Sequence, residues 1–86
     1  MQKNWAAPNY TEEARVARLE GLILFRAVID EDGNAKVTDI IKPLGMGLDE
    51  NAVRTIEEIW KFSPAMRDGV PVETDSYIDV RFKLLN

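Results

Sequence analysis

The last stretch of the chain constrains the fold more than any other feature. From Tyr77 to Leu85, side chains alternate strictly between an apolar set and a polar set; the apolar set is Ile78, Val80, Phe82 and Leu84, and the polar set is Tyr77, Asp79, Arg81 and Lys83. A period of two predicts a β-strand in a sheet that has one buried face and one wet face. The chain therefore needs partner strands and elements that cover the buried face.

Two earlier segments supply those partner strands. Leu22–Asp30 is rich in β-branched and aromatic residues, which favours a strand. Glu31–Asn34 contains an Asp-Gly pair that tolerates positive φ, so it predicts a turn. The return strand is predicted over Lys36–Lys42, and Val70–Val72 is predicted to be a short extended piece.

Two amphipathic segments are predicted to form helices. Thr11 can cap a short helix that runs to Glu20, and Gly21 can end it. A second helix is predicted from Leu48 to Lys61, with Asp49 at the N-cap or in the first turn. Its apolar stripe comprises Ala52, Ile56, Ile59 and Trp60, with Val53 beside them.

The predicted order of elements is α-β-β-α-β, which indicates an α+β fold. We expect a three-stranded antiparallel sheet with helices packed on one face. The 86 residues suffice for a single core. We assign residues 1–9 to an N-terminal extension and residues 10–86 to the domain.

Composition argues against catalysis and against several classes of partner. The chain has no cysteine and no histidine, so disulfides, thiolate chemistry and the commonest metal ligand and general base are excluded. The acidic run Asp30-Glu31-Asp32 lacks the ligand spacing of a calcium loop and is interpreted as a solvated turn. We therefore predict a protein that is not an enzyme and that has no metal and no cofactor.

The net charge and the hydropathy of the chain argue against two further classes of partner. A net charge of −4 opposes binding to nucleic acid or to an anionic membrane surface. No apolar run approaches the roughly 20 residues of a membrane helix, so this segment is not expected to insert into a membrane.

The first strand carries apolar residues on both of its faces. Ile23, Phe25, Ala27 and Ile29 are predicted to face the core. The opposite face carries Leu22, Leu24, Arg26 and Val28. An apolar outer face on a small sheet indicates that a second surface covers it, so we predict self-association, either face to face through these residues or by strand exchange.

Several short stretches occur in an order and spacing that extend from Pro8 to Leu84. They are Pro8-Asn9-Tyr10, Ala14-Arg15, Glu20-Gly21, Asp30, Asp32-Gly33, Gly47-Leu48-Asp49, Ala52, Trp60-Lys61-Phe62-Ser63-Pro64-Ala65, Gly69-Val70-Pro71-Val72 and Val80-Arg81-Phe82-Lys83-Leu84. Together they resemble the C-terminal domain of the TonB family of energy transducers. Members of that family often have proline where this chain has Thr11.

The resemblance implies a function. It implies that the chain is the periplasmic domain of an inner-membrane-anchored protein. Such a domain binds the TonB box, a short extended peptide of outer-membrane transporters, and passes on proton-motive energy for substrate uptake. The peptide binds by β-strand addition to the last strand of the domain. The implied partner-binding residues are Ser76, Tyr77, Ile78, Asp79, Val80, Arg81, Phe82, Lys83 and Leu84, with Pro8 and Tyr10 in the approach segment.

An alternative function is also consistent with the resemblance. The domain would then be the TonB-like tail of a fusion or regulatory membrane protein and would serve assembly or self-association, including a homodimer. The sequence leaves open the direction of strand addition and the identity of the transporter.

Overall fold

The computed structural model describes residues 8–84, and its main sheet has the predicted architecture. The elements are α1 (Glu12–Val16), β1 (Gly21–Ile29), β2 (Ala35–Lys42), α2 (Leu48–Arg54) continued by a π-helical segment (Thr55–Ile59), β3 (Ala65–Arg67), β4 (Val70–Val72) and β5 (Thr74–Phe82). The main sheet has the order β2-β1-β5, and both pairings are antiparallel. The α+β prediction with a three-stranded antiparallel sheet is confirmed.

The core lies on one face of this sheet. Ile23, Phe25 and Ala27 of β1 are fully buried, as the alternation predicts. From β5, Ile78, Val80 and Phe82 are buried beside them. From the second helix, Leu48, Ala52 and Ile56 complete the same cluster.

The first helix is shorter than predicted. It ends at Val16, and Arg18 adopts a left-handed conformation with φ 56°. The N–H of Leu19 donates to Ala14 C=O and the N–H of Arg18 donates to Arg15 C=O, both at 3.0 Å, which is the Schellman pattern of a helix end. The prediction that Gly21 ends the helix is therefore wrong, because Arg18 ends it three residues earlier.

The second helix changes geometry halfway along its length. After Arg54 it widens into a π-helical segment, closed by the N–H of Trp60 donating to Thr55 C=O at 2.9 Å. The wider turn rotates the later residues about the helix axis. As a result Ile59 is 42% exposed, so the prediction that Ile59 belongs to the buried stripe is wrong.

Asp49 lies in the first turn of α2, which is one of the two positions that the sequence predicted for it. Gly47 occupies the N-cap position. The Asp49 carboxylate instead accepts the N–H groups of Leu44 and Gly45, at 2.9 and 2.8 Å. Asp49 thus holds the loop between β2 and α2 against the helix that follows it.

A short acidic loop connects β1 and β2. The N–H of Asp30 donates to Asn34 C=O at 2.9 Å, and Gly33 has φ 85°. The Asp30 carboxylate accepts the N–H groups of Asp32 and Asn34 at 2.9 Å. The carboxylate that begins the acidic run therefore stabilises the turn itself.

A second hairpin, formed by β3 and β4, was predicted only in part. Asp68 and Gly69 have φ values of 51° and 80°, as a type I′ turn requires, and Arg67 pairs with Val70 across it. The sequence predicted the extended piece Val70–Val72 but not its partner β3, which is only three residues long.

The last strand begins and ends earlier than predicted. It runs from Thr74 to Phe82, so Lys83 and Leu84 lie beyond its end. The strand stops there because Phe82 is opposite Gly21, the first residue of β1, and no partner residue follows. Leu85, the predicted end of the strand, and residues 1–7 of the predicted extension lie outside the described residues.

Candidate functional site

β5 is an edge strand, and one of its sides is open within residues 8–84. Arg26 C=O faces β2, because it accepts the hydroxyl of Thr38 at 3.1 Å. Backbone groups alternate along a strand, so Ala27 and Phe25 face β5 and pair with Ser76 and Ile78. Every second residue of β5 therefore directs its N–H and C=O away from the sheet. These outward residues are Asp75, Tyr77, Asp79 and Arg81.

The opposite edge of the sheet is partly occupied. Val37 of β2 directs its N–H away from β1, and this N–H donates to the Glu57 carboxylate at 2.8 Å. Glu57 lies on the π-helical segment, which packs along β2. A guest strand would have to displace this contact to pair with β2. On β5, the outward C=O of Asp75 accepts only a long hydrogen bond of 3.4 Å from the hydroxyl of its neighbour Thr74, which is more easily replaced.

The structure divides the predicted edge residues into three groups. Tyr77, Asp79 and Arg81 have outward backbone groups and exposed side chains, and Tyr77 is 70% exposed. Ser76, Ile78, Val80 and Phe82 pair inward with β1, and the last three belong to the core. Lys83 and Leu84 do not belong to the strand.

Sequence reasoning missed two edge residues, Thr74 and Asp75. Both pair with β1, opposite Ile29 and Val28. Asp75 also lies 3.3 Å from the Arg26 guanidinium in an exposed ion pair. The start of the strand was not predicted because the polar run Glu73–Ser76 contains no apolar residue, so no alternation is recognisable there.

The chain just past the C-terminal end of β5 is hydrogen-bonded to the residue that precedes β1. The Glu20 carboxylate accepts the N–H of Leu84 at 2.7 Å. A shallow cavity opens there, lined by Glu20, Gly21, Leu22, Arg81, Phe82 and Lys83. This contact marks where the open edge ends.

The approach segment packs against the same end of β5. The Tyr10 ring meets the Phe82 ring edge-on, with centroids 5.4 Å apart, and its hydroxyl donates to Leu19 C=O at 2.7 Å. Thr11 caps α1 by accepting the N–H of Ala14 at 3.1 Å, and its hydroxyl donates to Met46 C=O at 2.6 Å. Burial, and secondarily the Glu20 charge, raise the pKa of Tyr10. Pro8, the other residue implied here, is half-buried.

The outer face of β1 has the composition that the sequence predicted. Leu22 is 40% exposed, Leu24 and Val28 are half-buried, and Arg26 is exposed. Their neighbours on β5 are Arg81, Asp79, Tyr77 and Asp75. The face is therefore an apolar stripe on the central strand beside a charged edge strand.

Two findings bear on other kinds of function. Within residues 8–84, no three acidic side chains lie close enough together to hold a metal ion. No helix in the same part of the chain has the length and apolar character needed to cross a membrane.

The fold and its exposed edge define the class of protein to which the chain belongs, a small α+β domain that presents a free strand edge at its surface. The sequence matches, over residues 6–84, the family model described as the Gram-negative bacterial TonB protein C-terminal. It is also 37% identical over 78 residues, 90% of this chain, to Protein TonB of Vibrio cholerae serotype O1 (strain ATCC 39315 / El Tor Inaba N16961). The chain spans 32% of that relative's length. The chain belongs to the TonB C-terminal domain family.

Proposed function

We propose that this domain binds an extended peptide segment by adding it as a fourth strand along the open side of β5. One observation carries the proposal: the β5 edge is open within residues 8–84, while the β2 edge is engaged by Glu57. Backbone groups supply the affinity in this mode of recognition, and neighbouring side chains select the partner.

Family membership supports a more specific form of the proposal. The domain is the periplasmic part of an inner-membrane-anchored energy transducer, and its partner is the TonB box of an outer-membrane transporter. The domain then passes on proton-motive energy for substrate uptake. The name of the Vibrio cholerae relative and the family match support this role.

The energetics of the edge suit a reversible contact. Each backbone hydrogen bond contributes about 0.5–1.5 kcal/mol net, and a guest strand on β5 forms about four or five of them. The cost of ordering the peptide reduces this gain. We therefore expect a dissociation constant in roughly the micromolar range, which allows repeated engagement and release.

The direct test is a titration of the domain with transporter N-terminal peptides, followed by NMR. We expect the amides of Asp75, Tyr77, Asp79 and Arg81 to shift most, because their N–H groups gain new acceptors. The amides of Ser76 and Ile78 already pair with β1 and should shift less. Shifts confined to β2 or to the helices would contradict the proposal.

Two variants of Asp79 distinguish the contribution of its backbone N–H to peptide binding from that of its side chain. Asp79→Pro removes one outward N–H at an edge position where proline is tolerated. Asp79→Ala removes the carboxylate but keeps that N–H. We expect Asp79→Pro to weaken binding about ten-fold, which corresponds to one lost hydrogen bond, and Asp79→Ala to weaken it less.

A second role, self-association, is supported by the outer face of β1. The stripe formed by Leu22, Leu24 and Val28 lies on the central strand, opposite the helices, and Leu22 is 40% exposed. A second copy of the domain would bury this stripe. This role would fit a homodimer or a tail domain that serves assembly.

A further inference from the structure

We propose that the binding edge does not stop at Thr74 but continues across Glu73 onto β4. The partner is then an extended peptide that spans both strands, with apolar character at its β4 end and opposite charges along its β5 part. This inference rests on the proposed function and extends it to a second strand.

The backbone groups of β4 point alternately toward β3 and away from it. Asp68-Gly69 forms a two-residue type I′ turn, so Arg67 and Val70 pair directly and their backbone groups face each other. Groups alternate along the strand, so Val72 also faces β3. The other side of β4 is presented by Pro71 and then by Glu73.

β4 and β5 follow one another almost directly along the chain. Between them lies the single residue Glu73, where the chain neither turns nor bends. Val70 and Val72 face β3, and Thr74, two residues later, faces β1. The strands β3 and β1 therefore lie on the same side of this continuous segment. Its other side presents Pro71, Glu73 and then the outward residues of β5 in one row.

The β3–β4 hairpin has only two strands within residues 8–84. A two-stranded hairpin is marginally stable in water, and pairing with a third strand usually stabilises it. Here the hairpin exposes large apolar side chains, with Met66 60% and Val70 59% exposed. A guest strand along β4 would cover part of this surface, which favours an apolar residue at that end of the partner.

The charge of the exposed side chains changes sign along the edge. Carboxylates come first, at Glu73, Asp75 and Asp79, and Arg81 and Lys83 follow at the far end. All five side chains are exposed. Basic residues near Glu73 and acidic residues near Arg81 therefore suit the partner. Since Pro71 has no N–H, the partner donates to the edge there and does not accept.

The experiment uses designed peptides in which valine and threonine alternate. A short peptide spans β5 only, and a long peptide continues to Val70; both carry lysine opposite Asp75 and Asp79 and glutamate opposite Arg81. The long peptide also carries lysine opposite Glu73. A matched long peptide has these charges exchanged, and each peptide is made in both chain directions. Binding is measured by calorimetry and by amide shifts on the whole 86-residue chain.

We expect the long peptide to bind roughly ten-fold more tightly than the short one, since it gains one or two backbone hydrogen bonds. We also expect it to shift the amide of Glu73. Exchanging the charges should weaken the long peptide. Equal affinities of long and short peptides, with β4 amides unmoved, would overturn this inference and leave strand addition to β5 standing. If neither peptide shifts β5 amides, both proposals fail.

Two further changes test the β4 contact. Glu73→Pro removes the outward N–H and should reduce the long peptide's affinity to that of the short one, while Glu73→Ala keeps the N–H and should retain most of the gain. N-methylation of the peptide residue opposite Pro71 removes a second hydrogen bond to β4, the one donated to Pro71 C=O, without altering the domain. An N-methylated long peptide that binds as tightly as the unmodified one would overturn the inference.

Discussion

At the scale of single residues, Gly33 joins the β1–β2 turn to the chain that follows the second helix. Its C=O accepts the N–H of Phe62 at 2.9 Å. A Cβ at Gly33 would lie 2.0 Å from the carbonyl oxygen of Phe62, closer than nonbonded atoms can approach. Glycine is therefore required here for two reasons, its φ of 85° and this close approach.

The Gly33→Ala variant tests the close approach, with Gly69→Ala as its control. Gly69 has a similar φ of 80°, but a Cβ at this position would have no atom within 4 Å outside its chain neighbours. We expect Gly69→Ala to lower the free energy of unfolding by about 1–2 kcal/mol. Gly33→Ala should lower it by about 3 kcal/mol or more, because backbone atoms must move as well. Urea denaturation of both variants makes the comparison, and equal losses would contradict it.

The raised pKa of Tyr10 predicts a dependence of stability on pH. Burial, and secondarily the charge of Glu20, disfavour the phenolate in the folded state. The folded protein therefore keeps a proton that the unfolded chain loses near its ordinary pKa of 10.0. The resulting stabilisation is fully present below that pH and is lost as pH rises through the folded pKa.

Tyr10→Phe is expected to flatten this alkaline loss of unfolding free energy. It also removes the hydrogen bond to Leu19 C=O, which costs about 1 kcal/mol at neutral pH. Tyr77→Phe is the control, since that side chain is 70% exposed. Denaturant titrations at neutral and alkaline pH provide the measurement. An unchanged alkaline slope in Tyr10→Phe would exclude Tyr10 as its source.

At the scale of elements, the π-helical segment and β2 meet through Glu57. We expect Glu57→Ala to lower the free energy of unfolding by about 1 kcal/mol and to accelerate hydrogen exchange at Val37, which loses its acceptor. Glu57→Gln keeps an oxygen in place and should preserve much of the protection. Equal exchange rates at Val37 in the wild type and Glu57→Ala would show that this contact does not protect the β2 edge.

The elements that the sequence predicted best are the strands with a regular pattern or a strong composition. In β5 the alternation around Ile78 indicated both the strand and its buried face, and in β1 the β-branched and aromatic residues around Phe25 indicated the strand. The errors arise where local geometry departs from an ideal element. Arg18 ends α1 although a left-handed arginine has no strong sequence signal, and the π-helical segment exposes Ile59 although an ideal α-helix would bury it.

The candidate site was predictable only in part for a related reason. The resemblance indicated the last strand, and the polar residues Tyr77, Asp79 and Arg81 marked its exposed face. The openness of its edge depends on the order of strands, which the alternation alone does not determine. The contact of Glu57 with β2 depends on the widened helix, so apart from the resemblance the residue pattern offered no signal that distinguishes the two edges.

At the scale of the whole molecule, the outer face of β1 predicts self-association. We expect the weight-average mass in sedimentation experiments to rise with concentration. Leu24→Lys should suppress this rise, because it places a charge in the apolar stripe. Val16→Lys is the control, since Val16 lies on α1 and is 73% exposed. A monomer at every concentration tested, with no difference between the variants, would contradict the prediction.

The position of β1 between β2 and β5 also determines how the domain folds. Its contact with β2 closes through a short turn, but its contact with β5 joins residues as far apart as Gly21 and Phe82. Such non-local pairing raises contact order and slows folding, because a long loop must close before the pairing stabilises anything. Until β5 has been synthesised, the hydrophobic face of the β1–β2 hairpin lacks Ile78, Val80 and Phe82. The last strand thus converts a marginal hairpin into a cooperative domain.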